Sequence, residues 1–435
     1  MGYRRAWIYA LMFALVAINY IDRAALAVAA KSIEVEFKLS PVQMGYLFSS
    51  FLWTYVLCLL PVGILIDRYG AKTVNSFGIA LWSLAVAFTA GAWSFTSLLG
   101  TRLAMGVGES TSIPCCGRIT REWMPASERG LTSTIYSAGS FAGPAIGAVL
   151  VGSLTAVWGW RVAFIALGVL GLLWLIVNLI WFDAPERVSW LGEEERAKII
   201  RERGAAVSER IDEPGKAAVV LQLLKSPSLW GVTVSQACAI YSLYLLLFWL
   251  PSYLQSAKHL NIMDTGLFTA IPWICAAPLS IAMGALSDRL LNREQLLAGG
   301  RRIMVTIALL CASVLLLVPF VDNIWVILVI IAFSLSGTAT TLGLNVALVT
   351  DLVHSPRDVG KAISMLVLGG NTFGIIAPII TGYVIQAFGG YNWAFVIAGV
   401  LLLIGALSAL TMTRWIIVSA EEPAPAPFVL GSRPV

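Results

Sequence analysis

The chain has 435 residues, of which 12% are charged and 58% are apolar, and its mean hydropathy is +0.84. A soluble globular domain carries about twice that charged fraction. This composition excludes a disordered chain, a collagen-like chain and a disulfide-rich scaffold, and it argues strongly against an ordinary soluble enzyme. The long uncharged runs indicate instead a protein that crosses a membrane several times.

The hydropathy pattern predicts twelve membrane spans, since a helix needs roughly 20 apolar residues to cross a bilayer. All twelve should be helices, because lipid offers no partner for exposed backbone N–H and C=O groups. In chain order, the predicted spans cover residues 6–29, 44–66, 73–93, 96–117, 131–154, 162–182, 229–253, 266–287, 303–321, 325–350, 360–386 and 391–414.

One long charged interruption, residues 183–228, separates the sixth span from the seventh. We therefore expect an N-terminal six-helix bundle over 1–182, a cytoplasmic linker over 183–228 and a C-terminal six-helix bundle over 229–417. Within the linker, the Glu- and Arg-rich stretch 193–210 is typical of a short charged helix on the membrane surface. The tail, 418–435, is Pro-rich and is predicted to be disordered and cytoplasmic.

The distribution of basic residues predicts the orientation in the membrane. With the N-terminus inside, the segments facing the cytoplasm hold 23 of the 29 Lys and Arg residues, and the outside loops hold 4. Since basic loops stay in the cytoplasm, both termini should be cytoplasmic, in a multi-pass protein of a bacterial-type inner membrane. The net charge of +5 then reflects this topology and gives no reason to expect nucleic-acid binding.

Weak internal matches predict two similar halves. The pattern Gly-x-Leu-x-Asp-Arg occurs at 63–68 and again at 284–289, and two further matches follow in the same order at offsets of 231 to about 234 residues. Such repeats are typical of two bundles that enclose a pathway and open it alternately to each side.

Four charged residues fall in the interior of predicted spans, away from their ends, all in the first half: Asp22 and Arg23 in the first span, and Arg102 and Glu109 in the fourth. A mid-span charge costs about 2.5–3.5 kcal/mol on insertion scales, so each needs a partner or a watery cavity. Arg102 and Glu109 share a helix face, whereas Asp22 and Arg23 point about 100° apart. A structural ion-pair network, for example Asp22 with Arg102, is one interpretation.

The other interpretation of these charges is functional. Arginine in a low-dielectric cavity suits a carboxylate, which its planar fork binds bidentately. A buried carboxylic acid can carry a proton near neutral pH. Two acids beside two arginines therefore favour a carrier that couples an organic anion to protons.

Several motifs resemble a known family. Gly63-x-Leu-x-Asp67-Arg68-x-Gly70 and Arg102-x-x-x-Gly106-x-Gly108 resemble signatures of the major facilitator superfamily. The segments 19–23, 102–109, 249–254 and 371–378 are similar to its anion:cation symporter family. The resemblance extends to about residue 417. It implies an all-α polytopic membrane protein with twelve transmembrane helices in two pseudo-symmetric six-helix bundles, the major facilitator fold.

The resemblance also implies roles by position. That family includes bacterial sugar-acid and phthalate transporters and animal sialic-acid and vesicular glutamate transporters. Asp22 and Glu109 would be the proton sites, and Arg102 would pair with them and tune their titration. Substrate contacts would come from the residues Arg23, Tyr55 and Asn371.

Two further positions bear on the substrate. Sugar-acid members of the family often carry glutamine in the fifth span where this chain has Ser140, whose shorter side chain leaves room for an aromatic or shorter acid. Asn345 in the tenth span is expected to line the cavity, because a buried amide needs a partner.

Charges at the cytoplasmic helix ends suggest a conformational latch. Asp67 with Arg68, and Asp288 with Arg289 in the second half, could pair with neighbouring helices and hold one state. The alternative is a topological charge followed by a tight turn at Gly70.

We therefore predict proton-coupled uptake of a small organic carboxylate by a monomeric carrier. An exporter, a sodium-coupled carrier and a non-transporting membrane sensor are the alternatives. The sequence contains no recognisable metal cluster, nucleophile triad or phosphate-binding loop, so neither a cofactor nor an enzymatic activity is expected.

Overall fold

The computed structural model describes residues 6–125, 128–188, 190–207, 223–291, 300–355 and 358–417. Eleven helices in these ranges are long and apolar enough to cross a membrane, and they correspond to every predicted span except the fourth. The helices of the first six spans are Ala6–Phe37, Pro41–Tyr69, Ala71–Thr89, Phe95–Glu109 continued by Ser112–Trp123, Arg129–Trp158 and Trp160–Trp181. Those of the last six are Pro227–Ser256, Ile262–Leu290, Gly300–Ala312 continued by a 3₁₀-helix Ser313–Phe320, Ile324–Leu352, Val359–Phe388 and Asn392–Met412.

The fourth span differs from the single helix that the sequence predicts, because it consists of two shorter helices. The Ser110 hydroxyl donates to the Val107 carbonyl at 2.6 Å, and the Thr111 hydroxyl donates to the Gly108 carbonyl at 2.9 Å. Hydroxyl side chains that bond back to the preceding turn bend helices. Arg102 and Glu109 nevertheless stay in the same helix, so the prediction that they share a face holds.

The linker contains the predicted charged helix, at Glu193–Val207, and positions 208–210 of that prediction lie outside the described residues, as does the tail 418–435. Between the second and third spans Gly70 has a φ of +81°, a conformation that glycine adopts without steric cost. The tight turn predicted there is present.

Two compact units make up the chain: Met1–Ile211 with Leu247–Ile274, and Asp212–Leu246 with Cys275–Val435. The segment 247–274 belongs to the first unit because Phe248 and Trp249 pack on Phe48 of the second span, with ring centroids 5.4 and 5.1 Å apart. The division at the linker into two six-helix domains stays a prediction.

Glycines bring the first and fifth spans together inside the first unit. A Cβ atom added at Gly143 would lie 2.6 Å from the Ala17 carbonyl oxygen and 2.6 Å from the Tyr20 Cβ. Small residues allow such close approach of helices in membranes. The contact fixes the turn of the first span that immediately precedes Asp22 and Arg23.

The fourth span is held against its neighbours in the same way. A Cβ at Gly106 would collide with the Phe51 carbonyl oxygen of the second span, and a Cβ at Gly108 would lie 2.7 Å from the Gly78 carbonyl oxygen of the third. These glycines therefore serve helix packing.

Candidate anion and proton site

The four charged residues predicted inside the membrane are all buried in the first unit. Their exposed fractions are 1% for Asp22, 3% for Arg23, 2% for Arg102 and 0% for Glu109. Two positive and two negative side chains thus lie in a region where an uncompensated charge is costly. Their partners determine what the site can do.

Arg23 is paired with Glu109. Its Nε donates to Oε2 of Glu109 at 2.8 Å, joining the first span to the fourth. The guanidinium carbon also lies over three aromatic rings, at 4.6 Å from Tyr20, 5.0 Å from Phe51 and 5.1 Å from Tyr55. The other carboxylate oxygen of Glu109 has no hydrogen-bond partner among the described residues, although the Asn19 side chain lies nearby. The pair is therefore one charge-assisted bond within an aromatic pocket, with bonding capacity left on the acid.

Asp22 has different surroundings although it is adjacent to Arg23 in sequence. Neither of its carboxylate oxygens has a hydrogen-bond partner in the described part of the chain, although the Trp82 side chain lies nearby. Arg102 and Glu109 act on it electrostatically through space. The direct bond between Asp22 and Arg102 that a structural network would use is not formed.

Of the two buried arginines, Arg102 makes fewer hydrogen bonds within the described ranges. One terminal nitrogen, Nη1, lies 2.9 Å from the Met105 sulfur, whereas Nε and Nη2 have no partner. The guanidinium carbon lies 5.1 Å from the centroid of the Phe51 ring. Its pairing with the acids is therefore electrostatic rather than through hydrogen bonds in this conformation.

The remaining predicted substrate contacts are distributed over both units. In the first unit, Tyr55 is buried beside Arg23, whereas the half-buried Ser140 donates its hydroxyl to the Ser137 carbonyl at 2.6 Å. The second unit holds Asn345 and the half-buried Asn371.

Asn345 is bonded within the second unit. Its amide nitrogen donates to the Ser235 hydroxyl at 3.1 Å and to Oε1 of Gln236 at 3.0 Å, linking the tenth span to the seventh. Asn371 lies between Gly370 and Gly374, and a Cβ at either glycine would meet side chains of the seventh span. The seventh span thus contacts both asparagine-bearing helices.

The predicted latch residues differ in their contacts. Asp67 is mostly exposed, and its Oδ1 lies 3.5 Å from Nη1 of Arg118, which lies in the second helix of the fourth span. Arg68 is exposed and lies over the ring of Tyr69, with 5.2 Å to its centroid. In the second half Arg289 is exposed, and the side chain of Asp288 lies outside the described residues. The latch stays a prediction.

Sequence reasoning missed three aromatic neighbours of the charges, Tyr20, Phe51 and Trp82. Tyr20 precedes Arg23 by three residues, a spacing that places both on one helix face and could have been used. Trp82 lies on the third span, and its proximity to Asp22 depends on tertiary packing, which no local pattern encodes.

Eleven described helices that could cross a membrane, together with the buried charges between them, are typical of a polytopic membrane protein. The model of the Major Facilitator Superfamily matches residues 12–300 and 296–432. The chain therefore belongs to the major facilitator superfamily, and the predicted twelve-helix fold is confirmed.

Curated relatives and solved structures agree with this assignment. The chain is 30% identical to the "Probable galactarate/D-glucarate transporter" of Bacillus subtilis, covering 97% of this chain and 95% of that protein. It is 30% identical to the D-galactonate transporter of an Escherichia coli O6:H1 strain (94% and 95%) and 31% identical to the "Probable sulfoacetate transporter" of Cupriavidus necator (93% of each). The crystal structure of a bacterial homologue of the human lysosomal transporter Spinster, inward-facing and occupied, matches with a TM-score of 0.73 at 18% identity, covering 95% of this chain and 98% of that chain.

Proposed function

We propose that this protein is a secondary active transporter that takes up a small organic carboxylate anion together with protons. Membership of the superfamily and the names of the curated relatives support transport of an organic acid. The observation that carries the coupling is the buried bond between Arg23 and Glu109, because it joins a candidate anion site to a candidate proton site.

The anion is proposed to bind at Arg23, with the Tyr55 hydroxyl nearby. Arginine binds carboxylates through a planar fork of donors, and an aromatic lining excludes water from that contact. In the structure Glu109 occupies the Nε side of this fork at 2.8 Å. A substrate carboxylate and the ionised Glu109 therefore compete for the same cation.

This competition couples the anion to a proton. When Glu109 takes up a proton, it no longer neutralises Arg23, and an incoming carboxylate restores the charge balance. Asp22 is the proposed second proton site, because a buried carboxylate without a hydrogen-bond partner is far less costly when neutral. With the anion and the protons bound, the first unit carries fewer uncompensated charges. This lowers the free-energy cost of opening the site to the other side of the membrane.

The substrate class is a small organic acid, and three kinds of acid are candidates. The relatives' names include hexarates, a hexonate and the two-carbon sulfoacetate. Ser140, whose hydroxyl already bonds to its own helix, reaches less far than a glutamine and favours acids with fewer hydroxyl groups to bind. In the second unit, Asn371 is proposed to bind the substrate's polar groups, and Asn345 is proposed to line the cavity.

The remaining features of the proposal concern the membrane and assembly. We place the protein in a bacterial-type inner membrane as a monomer with both termini cytoplasmic, because basic residues concentrate in the segments that this orientation leaves inside. Rearrangement of the contact between Asp67 and Arg118 during the cycle is part of the same proposal.

The test is uptake by purified protein in proteoliposomes over a panel of sugar acids, aromatic dicarboxylates and short hydroxy acids. At least one acid should be taken up, and Arg23→Ala should abolish its binding, whereas Arg161→Ala, which removes a surface arginine paired with Glu36, should not. Normal substrate affinity in Arg23→Ala would remove Arg23 from the site. Uptake driven by sodium, or net export under the same gradient, would favour the alternative carriers.

A further inference from the structure

We propose that Phe51 is a positioning residue whose ring holds the guanidinium groups of Arg23 and Arg102 in the orientation that binds the anion. This inference rests on the proposed function. The guanidinium carbons of Arg23 and Arg102 lie 5.0 and 5.1 Å from the centroid of the same Phe51 ring, which is fully buried. Both distances are within the range in which a cation is attracted to the negative face of an aromatic ring.

The ring has a role here because the charges of Arg23 and Arg102 are compensated to different extents. Arg23 has a carboxylate partner at 2.8 Å, whereas two of the nitrogens of Arg102 have no hydrogen-bond partner within the described chain. Two nearby cations repel one another strongly when water is excluded. A ring that attracts both cations offsets part of the cost of this repulsion without neutralising either charge, so both arginines remain available to an anion.

The backbone of Phe51 is fixed by the fourth span, the helix that carries Arg102. The Thr54 hydroxyl lies 3.3 Å from the Phe51 carbonyl oxygen and donates to the Leu103 carbonyl at 2.8 Å. Gly106 leaves no room for a side chain against the same carbonyl of Phe51. The two helices therefore cannot separate at this level without moving Phe51 relative to Arg102.

Aromatic packing fixes the orientation of the ring itself. Phe248 meets Phe51 at a centroid distance of 6.0 Å and an interplanar angle of 67°, an edge-to-face arrangement. Phe248 in turn stacks on Phe48 at 5.4 Å and 12°. The three rings are buried, so Phe51 can turn only if its aromatic neighbours also move.

The electrostatic role can be separated from simple packing by placing phenylalanines with one, two or three ring fluorines at position 51. Fluorine weakens the negative ring face with little change in size. The matched control is the same series at Phe48, which lies in the same aromatic cluster and has no guanidinium group over its ring in the described structure.

The first measurement is the melting temperature of the purified full chain. It should fall stepwise with fluorine number at position 51 and change much less at position 48. The second is the KM for the acid that the panel shows to be transported. It should rise stepwise at position 51, by roughly 2- to 30-fold for the complete series, with Vmax per folded protein retained.

A melting temperature and KM that are flat across the Phe51 series, or that change equally in the Phe48 series, would overturn the inference. A melting temperature that falls stepwise along the Phe51 series while the KM stays constant would also overturn it, because the ring would then only stabilise the fold. If no acid in the panel is transported, the proposed function fails, whereas the melting series still decides whether the ring holds the guanidinium groups.

Discussion

At the scale of single residues, Asp22 and Arg23 show how neighbours in sequence acquire different chemistry. The sequence predicts that both are functional, because neither belongs in a membrane, and that they point about 100° apart. It does not predict which of the two meets Glu109, since that depends on how the first span is rotated against the fourth. The structure pairs Arg23 with Glu109 and leaves both oxygens of Asp22 without hydrogen-bond partners among the described residues.

This difference predicts the behaviour of Asp22→Asn. The substitution removes a buried charge without breaking a hydrogen bond in the described structure, so the melting temperature should stay the same or rise. Proton-driven uptake should nevertheless fall, because the proposed proton site is lost. Thermal unfolding and proteoliposome uptake measure the two effects, with Asp264→Asn, at a half-buried position outside the group of buried charges, as the control that retains uptake. A large destabilisation by Asp22→Asn would instead support a structural role.

At the scale of elements, the fourth span shows what hydropathy can and cannot predict. Its existence and its approximate position follow from the apolar run at 96–117. Its division at Ser110 and Thr111 does not, because the hydroxyl side chains at this point barely change the average hydropathy. The roles of Gly106 and Gly108 were predictable as packing positions, but the helices they contact became known only from the structure.

The close approach at Gly106 predicts a specific loss of stability. A methyl group in Gly106→Ala would collide with the Phe51 carbonyl and force the second and fourth spans apart, which should cost about 1–3 kcal/mol. Gly100→Ala provides a matched control on the same helix, because a Cβ there meets nothing within 4 Å. Thermal unfolding should show a lower melting temperature for Gly106→Ala only. Equal melting temperatures for the two variants would show that the contact is easily relieved.

At the scale of the whole molecule, composition and charge distribution are the most informative properties. The scarcity of charge predicts the membrane, the weak repeats predict two related bundles, and the superfamily match supports both. The pairing of the buried charges and the extent of each compact unit are long-range properties. Segment 247–274, for example, joins the first unit through aromatic contacts that its own sequence does not reveal.

The linker gives a prediction at this scale that separates a transporter from a sensor. Deletion of residues 195–212 removes most of the charged helix that begins at Glu193. Transport should largely survive, because the buried charges lie in the spans. Uptake in proteoliposomes provides the measurement. If the deletion leaves the protein folded but abolishes transport, the linker takes part in the transport cycle.

We propose that Glu109 couples a proton to the anion held by Arg23, and the variant Glu109→Gln removes the proton site while keeping the shape of the side chain. The variant is reconstituted in proteoliposomes, and the external medium is made more acidic than the lumen. The measurement is accumulation of a transported organic acid above its equilibrium level. We expect Glu109→Gln to exchange the acid but no longer accumulate it, whereas Glu36→Gln, at a surface contact with Trp160 and Arg161, should accumulate it normally. Uphill accumulation by Glu109→Gln at the level of the unmodified protein would contradict the claim.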